Sequence, residues 1–186
     1  MEEGLTEIGE FAFSNTKLQS VVLPSSIRTI EASAFGSCSK LETITLNEGL
    51  QIIKNEAFSW SELTSITLPS TITSVGERAF EKCSCLAAVS LNEGLQSIGD
   101  FAFDSAKSLT EIAIPSTVTD MDESVFNGCT ELTAVKFESN APEAYENEKA
   151  GVVHGSSYGV SYTVYYHEGA TGFTPDDWCG YDTAIW

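Results

Sequence analysis

Six phenylalanines recur at an almost fixed interval: Phe13, Phe35, Phe58, Phe80, Phe103 and Phe126, spaced by 22, 23, 22, 23 and 23 residues. A period in this range constrains the chain to a solenoid in which each repeat packs on its neighbours. After each Phe comes a Leu, then two apolar residues at alternate positions. The segments read Leu18…Val21-x-Leu23, Leu41…Ile44-x-Leu46, Leu63…Ile66-x-Leu68, Leu86…Val89-x-Leu91, Leu109…Ile112-x-Ile114 and Leu132…Val135-x-Phe137. Alternation with β-branched residues predicts a short strand with one buried face. Equivalent strands this far apart cannot be joined by hairpins. They are expected to stack in parallel, one per coil, about 4.8 Å apart.

A second apolar pair follows each strand: Ile27/Ile30, Leu50/Ile53, Ile72/Val75, Leu95/Ile98 and Val118/Met121. It predicts a short extended or turn-like stretch on the opposite wall. The residues before the Phe, as in Gly76-Glu77-Arg78-Ala79-Phe80, fit a single helical turn. The six rings are then expected to form a ladder inside the solenoid. The turns after the strands alternate between Pro-Ser-Ser/Thr (Pro24, Pro69, Pro115) and Asn-Glu-Gly (Asn47, Asn92). Proline fixes φ and glycine permits positive φ, so two turn chemistries alternate and the unit is a pair of repeats. The organisation predicted is a solenoid over residues 1–138, its first repeat truncated, and a capping segment over 139–186. Glu2-Glu3-Gly4-Leu5 reads like Asn47-Glu48-Gly49-Leu50, so the chain is expected to enter mid-repeat, as a segment of a longer protein. The lack of a signal-peptide pattern is therefore uninformative.

Residues 63–86 carry Leu63, Ile66, Leu68-Pro69, Ile72, Val75-Gly76, Ala79-Phe80, Cys83 and Leu86 in one register. This pattern resembles the BspA-like leucine-rich repeats, and six copies in register extend the likeness from residue 5 to about 138. Ala141-Pro142, the Tyr162–Gly169 segment and the Trp-containing end are similar, more loosely, to the terminal segment that closes such arrays. The resemblance implies a leucine-rich-repeat solenoid, β-rich, with its parallel strands on a concave face and a β-containing C-terminal cap. It also implies a cell-surface or secreted protein associated with adhesion to matrix proteins or other cells.

The chain carries 27 acidic against 9 basic residues in 186, a net charge of −18. The acids are spread along its length, so phosphate backbones and anionic membrane surfaces are repelled and a nucleic-acid partner is not expected. No apolar run reaches the length of a membrane span, so no membrane insertion is expected. Cys38, Cys83 and Cys129 recur every second repeat, about 10 Å apart at two strand spacings, beyond the roughly 7 Å Cα limit for a disulfide. They read as buried packing residues that alternate with Thr16, Ser61 and Ala106, whereas Cys85 reads as exposed and Cys179 lies in the cap.

Outward strand positions are what the repeat leaves for function. Thr43, Thr45, Ser65, Thr67, Ser90, Glu111 and Lys136 are candidate binding residues on the concave strip, with charge gathering toward its C-terminal end. Small hydroxyl residues also suit any exposed strand, which is the structural reading of the same positions. All six Tyr and two of the three Trp follow residue 140, so Tyr165, Tyr166 and Trp178 form a second candidate set. Covering the open end of the solenoid accounts for these aromatics equally well. Trp60, Phe11 and Phe101 read as singly exposed aromatics.

Gly155-Ser156-Ser157-Tyr158-Gly159 matches a nucleophile-elbow pattern but lies in a Gly/Ser-rich stretch without the strand and helix an elbow needs. His154 and His167 have no ligand spacing with Cys179, Asp176 or Asp177. Asp120, Asp122 and Glu123 lack a calcium-loop pattern and fit the start of a helical turn. No catalytic residue, metal or cofactor is expected. The function expected is a non-enzymatic module binding an extracellular protein or glycan. The alternative is a rigid spacer, or an appended module of a larger surface protein. A monomer is expected, with association open to the uncovered N-terminal edge.

Overall fold

A computed structural model of the chain describes residues 4–121, 124–140, 162–173 and 182–186. Fourteen short strands lie among these residues. They are β1 (Glu7–Ile8), β2 (Ser20–Val22), β3 (Thr29–Ile30), β4 (Thr43–Thr45), β5 (Ile52–Ile53), β6 (Ser65–Thr67) and β7 (Ser74–Val75). They continue with β8 (Ala88–Ser90), β9 (Ser97–Ile98), β10 (Glu111–Ile114), β11 (Asp120–Met121), β12 (Ala134–Phe137), β13 (Thr163–Tyr166) and β14 (Thr183–Ile185). Every pairing is parallel, and the register repeats the sequence period: Ser20 lies opposite Thr43, Ser65 opposite Ala88, Glu111 opposite Ala134. The even strands to β12 are the predicted strip. The odd strands β1 to β11 form a continuous six-stranded sheet on the second wall, built on Ile30, Ile53, Val75 and their equivalents.

The strip is not one sheet. Its hydrogen-bonded groups are β2–β4, β6–β8 and β10–β12–β13–β14. The break falls after each Asn-Glu-Gly repeat, so the pairing of repeats read in the turns is also a pairing of strands. Within a pair, Leu23 N–H donates to the Thr45 carbonyl at 3.0 Å and Leu68 N–H to Ser90 at 2.9 Å. Burial follows the same alternation. Val21, Leu23, Ile66 and Leu68 are buried, whereas Ile44, Leu46, Val89 and Leu91 are only partly so.

The phenylalanine ladder is present from end to end. Successive ring centroids are 5.2, 5.4, 5.4, 5.3 and 6.0 Å apart, with planes within 13° of parallel. Phe35 to Phe126 are fully buried and Phe13, the first rung, is partly exposed. Buried Cys38, Cys83 and Cys129 run beside the ladder, each donating its thiol to the carbonyl of the previous coil's Phe at 3.0–3.1 Å. All three are free, as is exposed Cys85. Cys179 lies outside the described residues.

The helical turn expected before each Phe is absent; no helix occurs among the described residues. In its place is a run of turns interrupted by left-handed residues, among them Glu56 (φ 58°), Trp60 (φ 60°), Arg78 (φ 53°) and Lys82 (φ 58°). The reason is hydrogen bonding between coils. Glu56, Phe58 and Trp60 N–H groups each donate to the next coil, to Glu77, Ala79 and Glu81, at 2.8 Å. Only the intervening Ala57, Ser59 and Ser61 bond back within their own coil. A helix would turn every N–H along its own axis. The helix-dipole reading of the acids near residue 120 falls with it: Asp120 belongs to β11, and Asp122 and Glu123 lie outside the described residues.

Beyond the last full repeat, β13 and β14 extend the strip in parallel on β12. Tyr162, Val164 and Tyr166 face the core, and Tyr166 stacks on Phe173 at 4.9 Å. Phe173 in turn lies against Phe137 at 5.4 Å.

Candidate binding surface

Alternate residues of a strand face opposite ways, so inward Leu and Ile place their neighbours outward without further instruction. Two outward columns result. One runs Ser20, Thr43, Ser65, Ala88, Glu111, Ala134, Thr163. The other runs Val22, Thr45, Thr67, Ser90, Ala113, Lys136, Tyr165, Ala184. Thr43, Thr45, Ser65, Thr67, Ser90 and Glu111 are all exposed and Lys136 is partly so. The middle of the strip thus bears hydroxyl groups and no aromatic or cationic side chain.

Its C-terminal end differs. Glu111 and Lys136 pair diagonally at 2.7 Å, the geometry of side chains two residues out of register on neighbouring strands. Tyr165 stands beside Lys136 in register. Lys136 Nζ lies 5.9 Å from the ring centroid of Trp186, which stacks on His167 at 4.6 Å. Glu138, His167 and Trp186 follow in the adjoining positions. Burial and the neighbouring Glu93 raise the Glu138 carboxyl above its ordinary range, with His167 opposing. Glu93 is lowered, chiefly by the Ser116 hydroxyl that donates to it at 2.7 Å. The two carboxyls are therefore shifted in opposite directions, Glu138 up and Glu93 down.

A cleft of about 330 Å³ opens in the middle of the strip, lined by Ile44, Thr45, Leu46, Glu48, Ser65, Thr67 and Pro69. It lies at the break between β4 and β6, where the hydrogen bonding between strands is interrupted. Thr64 N–H still reaches the Glu42 carbonyl at 3.2 Å at the start of the strands, and Ser70 Oγ reaches Glu48 at 3.0 Å beyond their end. The candidate residues Thr45, Ser65 and Thr67 are therefore the walls of a cleft rather than a flat strip.

Of the aromatic candidates, Tyr165 is on the surface. Tyr166 is not: it turns into the core on Phe173, because the alternation that exposes Tyr165 must bury both its neighbours. Trp178, Ser157, His154, Asp176 and Asp177 lie outside the described residues. Trp186 and His167 belong to the strip end, although the sequence reading placed them only in a cap. Among the described residues no group of His, Cys, Asp and Glu is arranged to hold a metal ion. No helix there is long and apolar enough to cross a membrane.

No curated protein matches the chain. Among solved structures it is similar to the pneumococcal vaccine antigen PcpA, at 27% identity and a TM-score of 0.66, over 72% of this chain. It spans 36% of that protein's length. It is also similar to a leucine-rich repeat protein of T. pallidum, at 26% identity and a TM-score of 0.51, covering 89% of this chain and 69% of that one. A leucine-rich repeat protein of Eubacterium ventriosum shares the fold at 23% identity and a TM-score of 0.52, covering 90% of this chain and 47% of the other. The model of the BspA type leucine rich repeat region matches residues 1–84 and 51–148 with six copies. Six stacked coils with one Phe rung each and a matching family pattern over most of its length make this chain a member of the BspA type leucine-rich repeat family.

Proposed function

We propose that the chain is a non-enzymatic binding module displayed on a bacterial cell surface, and that it engages an extracellular protein or glycan through the C-terminal end of the strip. The observation that carries this reading is the Glu111, Lys136, Tyr165 and Trp186 group, the aromatic and cationic side chains of a face that elsewhere carries small hydroxyl residues. Binding energy concentrates on Trp, Tyr and Arg anchors, with charged partners setting orientation. Here a Trp, a Tyr and an ion pair meet across four adjacent strands, β10, β12, β13 and β14. Likeness to a vaccine antigen supports exposure at the cell surface. The hydroxyl run from Thr43 to Ser90, without aromatic or cationic side chains, favours a second reading for the remaining coils, that of a rigid spacer holding the end group away from the surface.

The test is a binding screen of the purified chain against matrix proteins and glycans, followed by Lys136→Glu and Tyr165→Ala on any positive. Each substitution is expected to weaken binding roughly tenfold or more, while Thr67→Lys in mid-strip leaves it nearly unchanged. Binding that survives both end substitutions overturns the site. A screen negative throughout overturns the module and leaves the spacer.

A further inference from the structure

The turn side of the solenoid, away from the strip, carries a second feature. Equivalent repeat positions line up there as columns. Trp60, Lys82, Ser105 and Gly128 form one, and Glu62, Ser84, Lys107 and Thr130 the next. Two adjoining cavities of about 330 and 400 Å³ lie between the columns and share Lys82, Ser105 and Lys107. Together they make a groove that begins at Trp60 and ends at Gly128 and Thr130. It crosses three coil steps, roughly 14 Å at one strand spacing per coil.

The groove joins three kinds of chemistry. Trp60 is 54% exposed even though Lys82 Nζ sits 4.2 Å from its ring centroid. Asp104 is buried in the groove wall, its carboxylate accepting from Ser105 Oγ at 2.9 Å and from Asn127 Nδ2. Lys82 already pairs with Glu81 at 3.1 Å. Lys107 has no ion pair among the described residues, in a chain whose acids outnumber its bases 27 to 9. The floor stays open because position 128 is glycine at φ +67°, where an added Cβ would meet Ser105 Oγ at 2.9 Å.

We propose that this groove binds a carboxylated saccharide. The Trp60 indole offers a flat apolar platform for the C–H face of a sugar ring. Asp104, Asn127 and Ser105 offer acceptors and donors matched to hydroxyl groups. Lys107, with Lys82 beside it, takes the carboxylate through a charge-assisted bond. A peptide is less well served, because Trp60 is the one apolar side chain among the lining residues. The site is independent of the strip, so its test separates from the one above.

The experiment is titration calorimetry of the whole chain with three probes: tri-galacturonate, its methyl ester, and 3′-sialyllactose. At least one acid is expected to bind, and which one distinguishes a uronate from a sialate source. The neutral ester is expected to bind roughly tenfold more weakly or worse, as is either acid to Lys107→Glu or Trp60→Ala. Lys107 is exposed and unpaired, so its reversal tests the site without threatening the fold, and an unchanged melting temperature confirms this. Lys17→Glu, an exposed lysine outside both the groove and the strip, is expected to bind like the parent. Failure of both acids, equal binding of acid and ester, or undiminished binding by Lys107→Glu overturns the proposal.

Discussion

Phe80 stands in the middle of a stack whose rings meet face to face on both sides, at 5.4 and 5.3 Å. Truncating it opens a hole that neither neighbour can fill, since each is fixed by its own coil. Phe80→Ala is expected to cost about 3–5 kcal/mol, read from urea melts. Phe13→Ala is expected to cost distinctly less, because the first rung is partly exposed and has one neighbour. Equal losses would mean that the end coil is as tightly packed as the middle. The cysteines beside the stack obey the same burial. Desolvation pushes the Cys83 thiol up to about 11 and the Cys129 thiol to about 12, and the thiolate is the reactive form. Iodoacetamide at mildly alkaline pH should therefore label Cys85 and spare Cys38, Cys83 and Cys129 until the chain unfolds, as peptide mass mapping would show. Early labelling of Cys83 would contradict its burial. These positions were legible in sequence because each recurs in a fixed slot, and a slot filled by Cys, Thr, Ser or Ala tolerates only something small.

Elements were less evenly legible. Strands and register could be read directly, since parallel stacking at one strand per coil makes the register equal to the repeat length. The turn run before each Phe could not. Ala-Phe among charged residues fits a helix locally, yet its N–H groups are claimed by the next coil, and no single repeat contains that information. Tyr166 differs for the opposite reason: its aromatic ring alone suits a surface anchor, whereas the alternation Tyr162, Val164, Tyr166 sets it inward. Trp60, Lys82 and Lys107 were missed because they lie in three different repeats and meet only when slots are stacked. The turns after the strands yield a test of pairing. Asn47 Nδ2 donates to the Pro24 and Ile27 carbonyls of the preceding coil at 2.8 and 3.2 Å, and its Oδ1 accepts from Gly49 N–H at 2.7 Å. Asn92 keeps the matching bond from Gly94 N–H at 2.6 Å, but its buried Nδ2 has no partner among the described residues. Asn47→Ala leaves several groups unpaired and should cost about 1–3 kcal/mol. Asn92→Ala should cost measurably less, since it also removes an unsatisfied donor. The thermal midpoints of the two variants, compared side by side, decide it; the reverse order would show that the two turns are not built as described.

At the scale of the whole molecule, the two ends of the stack are unlike. At the C-terminal end, β13 and β14 continue the strip, and Phe173 covers Phe137. At the other, β1 and β2 have no strand on their outer side among the described residues. Apolar groups cluster there: Val22 is 71% exposed and Phe11 59%, with Leu5 also open and Phe13 and Leu18 only partly covered. An unpaired edge with apolar side chains is a template for another chain, and we propose that it supports self-association of the isolated chain. A net charge of −18 opposes any such contact, and salt screens that repulsion over a Debye length of about 8–10 Å near physiological ionic strength. Association should therefore strengthen as salt is added, the reverse of what an interface held by ion pairs would show. Sedimentation velocity across protein concentration and salt would measure it. Val22→Lys places a charge on the open edge, where natural edge strands carry lysine to block pairing, and should abolish the salt-promoted species while leaving the melting temperature nearly unchanged. Lys136→Glu, at the far end of the strip, should leave it intact. A chain that sediments as a monomer at high salt and high concentration would show that the first coil's edge is closed to partners despite its exposed residues.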